Sequence, residues 1–205
     1  MNKNLSLERL TDLYTSKRKS VAEIAKLIGC SETGISYWLQ KYGIKKRNRS
    51  EAIYLKHNPN GDPFKIKLKL TKEETELRGL GLGIYWGEGD KSPNNTSVRV
   101  GNTDPLLIKK FKEFLIKIYG AKEEKFKYGL ILFNDIKESE AAKFWKSHLG
   151  VKREQLGKIT IIPPQGKGTY RKKSEFGVLT LIFTNKKLKE KILADIKSYN
   201  LNMPM

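Results

Sequence analysis

The sequence has very few of the residues that cross-link a chain or bind zinc. Cys30 is its single cysteine, which excludes an internal disulfide framework and fits a reducing compartment. His57 and His148 are its two histidines, so no Cys/His cluster is available for structural zinc. No apolar run reaches the roughly 18 residues of a membrane-spanning helix, and the first residues lack the apolar core of a signal peptide. These absences predict a cytoplasmic protein that is neither secreted nor inserted in a membrane.

Acidic residues are also scarce relative to basic ones. The chain holds 22 Asp and Glu against 41 Lys and Arg, which gives a formal net charge of +19 over 205 residues. Such an excess says little about fold, but it predicts a polyanionic partner, either nucleic acid or an anionic membrane surface. Because no membrane segment is recognisable and basic residues lie along the whole chain, we expect nucleic acid to be that partner. The length allows one or two domains.

The first part of the chain carries clear helix start and stop signals. Ser20 and Glu23 form a capping box before a helix whose apolar residues recur on one face. After a short glycine-containing turn, Ser31 caps a second helix over residues 32–42 with the same apolar period. Two capped helices joined in this way resemble the helix-turn-helix of resolvase-like DNA-binding domains. Residues 1–46 are therefore predicted to be a small all-α helix-turn-helix domain.

The second of these helices has a polar face opposite its apolar stripe. In a helix-turn-helix this helix enters the major groove, where Gln40 can read adenine and Thr33 or Ser36 can reach a base edge or a phosphate. The alternative is that these polar residues are merely solvated. A basic run follows directly and can track phosphates or enter the minor groove. The residues expected to contact DNA are Thr33, Ser36, Tyr37, Gln40, Lys41, Lys45, Lys46, Arg47 and Arg49.

Residues 47–72 are predicted to be a basic linker or arm. They contain a Pro/Asn/Gly-rich turn at 58–63. Residues 64–70 then alternate between apolar side chains and lysine, which indicates a strand or an extended arm. Thr71 and Glu74 form another capping box, so we place the domain boundary near residue 72.

Residues 77–91 have the densest glycine content in the chain. Gly79, Gly83 and Gly87 lie in a predicted helix, where each costs about 0.5–1 kcal/mol relative to alanine. Their four-residue spacing stacks them in one stripe that another backbone can approach closely. The stripe therefore predicts a helix-to-helix contact that offsets the cost.

Glu88 is placed at the end of this helix, where its carboxylate faces the negative end of the helix dipole. A cation is therefore expected beside it. Lys91 is one candidate, and a bound divalent metal is the other, since such ions prefer carboxylate oxygens. Asp90 is a secondary candidate ligand or a residue of a phosphate-binding loop.

The same stretch resembles the motif that names the LAGLIDADG homing endonucleases. Aligning the last two letters of the motif with Glu88 and Gly89 places residues 81–87 under the earlier letters and Gly83 on the motif's internal glycine. The chain departs from the motif at Gly81 for Leu, at Trp86 for the first Asp and at Glu88 for the final Asp. Residues 98–105, 144–150 and 176–184 look like later landmarks of such domains, so that the resemblance covers about residues 73–199.

The resemblance implies an α+β class for residues 73–205, with a LAGLIDADG-like mixed α/β fold and an antiparallel, saddle-shaped sheet. It also implies that two motif helices pack side by side across a dimer or pseudo-dimer axis, through Gly79, Gly83 and Gly87. The acid at the end of each helix, here Glu88, then binds the Mg²⁺ that is needed to cut one strand of double-stranded DNA. Because the chain has one copy of the motif, a homodimer is expected.

The remaining pattern predicts strands at 97–102, 126–133, 158–162 and 176–184, with helices at 105–119, 138–149 and 187–199. If the helices all lie on one face, the other face of the sheet is an open basic saddle that carries Arg99, Lys127 and Lys158. The loop at 163–173 is basic. A lysine there would offset phosphate charge during catalysis, and the candidates are Lys167, Lys172 and Lys173, with Arg171 as a further DNA contact.

Other catalytic motifs fail on inspection. Residues 79–89 are not closed by the Gly-Lys-Ser/Thr of a P-loop, and Ile84 or Trp86 breaks the dinucleotide-binding pattern. Residues 83–85 begin like a GIY-YIG nuclease, but no Tyr-Ile-Gly follows. The leading hypothesis is a site-specific, Mg²⁺-dependent endonuclease of the intron-homing type. The alternative is a transcription regulator that keeps the fold without cutting, and an RNA-splicing maturase would gain nothing from a helix-turn-helix.

Overall fold

The computed structural model describes residues 5–163 and 174–201. They form eight α-helices and one four-stranded sheet, which confirms the α+β class. The chain divides into two compact units, Met1–Asp62 and Pro63–Met205. The division lies earlier than the boundary suggested by the capping box, because the extended segment after Pro63 belongs to the second unit. There, the N–H groups of Lys65 and Lys67 donate to the carbonyls of Tyr119 and Ile118, both at 2.9 Å.

The first unit is built on three helices around one small core. The elements are α1 (Leu7–Thr11), which continues as a π-helical turn (Asp12–Ser16), α2 (Val21–Ile28), α3 (Glu32–Lys41) and α4 (Arg49–His57). The predicted capping box is present: the N–H of Ser20 donates to Glu23 Oε2 at 2.7 Å. Gly29 ends α2 with a φ of 72°, a left-handed conformation that favours glycine. Leu10, Ile24, Ile35 and Leu39 form the buried core, whereas α4 buries none of its residues.

The second unit begins with the glycine-rich helix, opened as predicted by a capping box of Thr71 and Glu74. Its elements are α5 (Lys72–Glu88), β1 (Ser97–Asn102), α6 (Pro105–Lys117), β2 (Phe126–Phe133), α7 (Glu138–Leu149), β3 (Leu156–Ile162), β4 (Val178–Thr184) and α8 (Lys186–Leu201). Side chains from all four helices and from one face of the sheet meet in a single hydrophobic core.

The sheet has the strand order β1-β4-β2-β3. β4 pairs antiparallel with both β1 and β2, but β2 and β3 are parallel. The prediction of an antiparallel sheet is therefore wrong for the β2–β3 pair. The physical reason is α7, which connects β2 to β3. A crossover helix brings the chain back to the end of the sheet at which β2 begins, so β3 runs in the same direction as β2.

The strands alternate between the core and the opposite face of the sheet. Val98 and Val100 of β1 are fully buried, while Arg99 between them is exposed. The same alternation places Lys127 outward on β2. The predicted extended segment at 64–70 keeps its alternation only at first, since Leu68 is 92% exposed and pairs with no strand.

Candidate functional site

α5 packs on α6 through a glycine that lies outside the predicted stripe. Gly81 is buried, and a Cβ at this position would clash with the ring of Phe114. Tyr85, one turn later, stacks on Phe111 with ring centroids 5.8 Å apart. The close contact between α5 and α6 therefore depends on Gly81.

The predicted glycine stripe lies on the other side of α5. Gly79, Gly83 and Gly87 are exposed, and apart from the adjoining residues and backbone of α5 itself no atom of the described residues lies within 4 Å of a Cβ built at any of them. Leu80 is 50% exposed and Trp86 is 54% exposed in the same helix. The outward surface of α5, which we call the glycine face, is thus formed by three glycines with a large apolar side chain near each end.

Glu88 is the last residue of α5, and its side chain is exposed. Within residues 5–163 and 174–201, its carboxylate makes no side-chain hydrogen bond or ion pair. Lys91, the alternative cation predicted beside it, instead donates its ammonium protons to the carbonyls of Trp86 (2.7 Å) and Gly89 (3.2 Å). Lys91 thereby caps the carbonyl end of α5 and leaves the Glu88 carboxylate accessible.

Asp90 shapes the loop that follows. Its Oδ1 accepts the N–H of Ser92 at 2.9 Å, and its Oδ2 accepts the side-chain amide of Asn95 at 2.6 Å. The hydrogen bond from Ser92 is the main cause that lowers the pKa of Asp90, and Asn95 and the charge of Lys189 add to it. Both carboxylate oxygens already have a donor, so Asp90 holds the turn after α5 in place.

Two further residues secure this end of the helix. The Tyr85 hydroxyl donates to the carbonyl of Asp90 at 2.9 Å, and burial raises the pKa of Tyr85 to about 12, which keeps it a donor. Lys189 of α8 is buried and donates to the carbonyls of Ser92 and Asn95, both at 2.8 Å. Lys189 belongs to no motif in the sequence, and its position next to the core residue Leu188 is the one local sign that this lysine is buried.

Glu88 is a single carboxylate rather than part of a cluster of metal ligands within the described residues. Among the residues that the structure describes, no three His, Cys, Asp or Glu side chains come together. Mg²⁺ is often held by one or two carboxylates together with water and phosphate oxygens. An accessible carboxylate such as Glu88 fits that ligand pattern as one of several donors.

The outer face of the sheet brings two of the predicted basic residues together. Arg99 of β1 and Lys127 of β2 both pair with Ile182 of the central strand β4, so they lie two strands apart, a distance of roughly 10 Å. Lys127 also donates to the carbonyl of Glu154 at 2.8 Å. Lys158 is exposed on β3, beside the register shift between β2 and β3. The face is not uniformly basic, because Ile131 of β2 is 40% exposed on it.

Four predicted contacts in the basic loop, Lys167, Arg171, Lys172 and Lys173, lie outside the described residues.

The predicted polar face of α3 is assembled as expected in the first unit. Thr33, Tyr37, Gln40 and Lys41 are exposed on α3, Ser36 is half-buried, and Lys45, Lys46 and Arg49 are exposed after it. Lys46 donates to Ser36 Oγ at 3.1 Å, which brings the basic run alongside the helix. Lys41 lies over the ring of Trp38, 4.7 Å from its centroid. We call these exposed polar and basic residues of α3 and of the run that follows it the α3 face.

Arg47 has a different environment from its basic neighbours. Its guanidinium stacks 3.9 Å from the centroid of the Tyr14 ring and donates to the carbonyls of Tyr14, Arg18 and Lys19. Its backbone N–H also donates to the Tyr14 hydroxyl at 2.8 Å. Arg47 thus attaches the basic run to the end of the first helix. Its side chain, predicted to contact DNA, instead binds carbonyl groups within the first unit.

Comparison with protein families, curated proteins and solved structures finds no match for the chain. Within the part of the chain that the structure describes, no helix is both long and apolar enough to cross a bilayer. The protein's role is therefore inferred from its own residues.

Proposed function

We propose that the protein is a homodimeric, site-specific, Mg²⁺-dependent endonuclease of double-stranded DNA, similar to the LAGLIDADG homing enzymes. In this proposal the second unit cuts DNA, and the helix-turn-helix of the first unit adds sequence specificity. The observation that carries the proposal is the exposed glycine face of α5, which ends at the accessible carboxylate of Glu88.

The glycine face is costly unless another surface covers it. Each exposed helical glycine forfeits about 0.5–1 kcal/mol relative to alanine, and nothing within the described part of the chain packs on these three. A second copy of α5 would meet bare backbone and would cover Leu80 and Trp86. Such a self-complementary interface is typical of a two-fold symmetric dimer.

A dimer of this kind explains the position of Glu88. Two α5 helices that pack along the glycine face would bring both Glu88 carboxylates close to the symmetry axis, where they repel each other until a cation binds. Bound Mg²⁺ would lower the pKa of an attacking water and stabilise the leaving oxygen of a phosphodiester. Glu88 would hold the ion, while Arg99 and Lys127 on the outer face of the sheet would bind phosphates on either side.

The first test combines selection of bound sequences from a random DNA library with incubation of the selected duplex in Mg²⁺. We expect wild type to cut both strands and Glu88→Gln to bind without cutting. Glu124→Gln is a matched control, because it removes an exposed carboxylate far along the chain from α5. Cutting that persists in Glu88→Gln would exclude Glu88 as the metal-binding acid, and loss of cutting in Glu124→Gln would show that the effect is not specific.

A DNA-binding transcription regulator is the second candidate. It is favoured by the α3 face, which is complete within the first unit and needs neither Glu88 nor a metal. Tight, salt-sensitive binding by wild type and by Glu88→Gln, with no cutting by either, would support this function and refute the endonuclease.

A further inference from the structure

Lys189 is a buried lysine that the proposed chemistry does not use. Lys189 is 4% exposed, and its ammonium group donates to two backbone carbonyls, those of Ser92 and Asn95. Burying an ammonium is costly, and a well-packed apolar side chain often serves a core position equally well. Lys189 lies between Leu188 and Ile192, both fully buried, so an apolar residue would suit the same helix face. The lysine is therefore expected to serve a purpose other than packing.

Lys189 and Asp90 hold the same short turn from two sides. Lys189 binds the carbonyls of Ser92 and Asn95, while Asp90 binds the N–H of Ser92 and the side-chain amide of Asn95. These four hydrogen bonds close residues 90–95 into a fixed ring. The N–H of Asn95 also donates to the carbonyl of Ser92 at 3.2 Å.

The ring is joined directly to the last turn of α5. The N–H of Asp90 donates to the carbonyl of Arg99 at 3.0 Å, and the carbonyl of Asp90 accepts the Tyr85 hydroxyl. Between the ring and Glu88 lies only Gly89, where a Cβ would clash with Tyr85. Gly89 leaves α5 in an extended conformation, so the ring follows the end of the helix directly and is tied to it through Tyr85.

We propose that Lys189 is a positioning residue for Glu88: by binding Ser92 and Asn95, it fixes the loop at 90–97 and with it the backbone at the end of α5, from which Glu88 reaches the metal. This inference rests on the proposed endonuclease function. It differs from a purely stabilising role, because it links a lysine in α8 to the metal requirement of an acid in α5. Groups that orient a metal ligand without touching the metal commonly change metal affinity or activity by about 10- to 100-fold when they are removed.

The test uses full-length Lys189→Met, Asn95→Ala and, as a matched control, Lys186→Met. Asn95→Ala removes the side-chain hydrogen bonds of Asn95 with Asp90 and Ser97, and it leaves the backbone carbonyl that Lys189 binds. Lys186 lies in the same helix, is exposed and, among the described residues, forms an ion pair with Glu190 at 3.7 Å. Two quantities are measured: the amide hydrogen exchange of residues 86–97, and the Mg²⁺ concentration that gives half-maximal single-turnover cleavage of bound target DNA.

We expect Lys189→Met and Asn95→Ala to speed exchange in residues 86–97 and to raise the half-maximal Mg²⁺ concentration by about tenfold or more. The dissociation constant for DNA and the behaviour of Lys186→Met should match wild type. A purely stabilising lysine would instead speed exchange throughout the second unit and leave the Mg²⁺ requirement unchanged, which would overturn the inference. If Lys189→Met does not fold, Asn95→Ala decides by the same criteria.

The two proposals fail in different ways. Wild-type protein that binds DNA and never cuts it refutes the endonuclease and, with it, the role of Lys189. Wild-type protein that cuts, while Lys189→Met and Asn95→Ala keep the wild-type Mg²⁺ requirement, refutes only the role of Lys189.

Discussion

Arg47 and Arg49 carry the same charge and lie two residues apart, but one is bound within the first unit and the other is exposed to solvent. Arg47 is enclosed by the Tyr14 ring and three carbonyls, whereas Arg49 is exposed in the first turn of α4. Hydrogen bonds that involve a charged donor contribute about 1.5–3 kcal/mol, because removing the donor leaves buried acceptors unpaired. Arg47 is thus expected to stabilise the first unit, and Arg49 to bind phosphate.

We predict that Arg47→Met lowers the free energy of unfolding of the first unit by about 2–3 kcal/mol. Arg49→Met should leave that free energy within about 0.5 kcal/mol and reduce the salt dependence of DNA binding by about one phosphate contact. Hydrogen exchange of the amides in α2 and α3 measures the first quantity, and DNA affinity at several salt concentrations measures the second. Equal stability of the two variants would contradict the role assigned to Arg47.

Asp90 gives a prediction that depends on pH. The hydrogen bond from Ser92 holds the pKa of Asp90 below its ordinary value in the folded protein. A carboxylate of this kind stabilises the fold above its unfolded pKa of about 3.9, and the contribution is lost as the pH falls through the lower folded pKa. The amide NMR signal of Ser92 should therefore titrate with a midpoint below about 3.9 in wild type. It should show no such titration in Asp90→Asn, and a wild-type midpoint at or above the ordinary value would contradict the observed hydrogen bonding.

At the scale of elements, α5 has two kinds of glycine on two sides. Gly81 lies against the Phe114 ring, where no side chain fits, and Gly83 lies on the open glycine face. The first allows α5 to pack within its own chain. The second, in our proposal, allows a second chain to approach.

We predict opposite effects from the same substitution at these two sites. Gly81→Ala should destabilise the second unit by about 1–3 kcal/mol or more, because the new methyl group meets the Phe114 ring. Gly83→Ala should stabilise the monomer by about 0.5–1 kcal/mol through helix propensity and should weaken self-association. Urea unfolding at low protein concentration and sedimentation velocity measure the two properties. If Gly83→Ala dimerises as well as wild type, the glycine face is not the interface.

Local signals predicted the helices and their starts well. The capping boxes at Ser20 and Thr71 form as expected, because each depends on two residues three positions apart. The direction of β3 was predicted wrongly. The direction depends on the connection through α7, and the residues of the strand itself do not indicate it. The extended segment at 64–70 was recognised, but its pairing with the end of α6 depends on residues more than 50 positions away.

At the scale of the whole molecule, the candidate site combines residues that were predictable with residues that were not. Glu88 and the glycine face follow from spacing along one helix. Lys189 and Arg47 act through contacts made across long sequence separations. The residue type alone does not show whether a lysine or arginine binds carbonyl groups of its own chain or is solvated. The net charge of +19 predicts a polyanionic partner but gives no information on which surface binds it.

The central claim is that each chain supplies one Glu88 and that two chains together cut two strands. Its most direct test is co-expression of wild type with an excess of Glu88→Gln, followed by incubation with Mg²⁺ and a supercoiled plasmid that carries the selected target. Wild type alone should give linear plasmid, Glu88→Gln alone should leave it supercoiled, and the mixed dimers should give mainly nicked circles. A shared site would be contradicted if linear product falls in simple proportion to the wild-type fraction, without an excess of nicked circles. The endonuclease itself would be contradicted if wild type leaves the plasmid uncut.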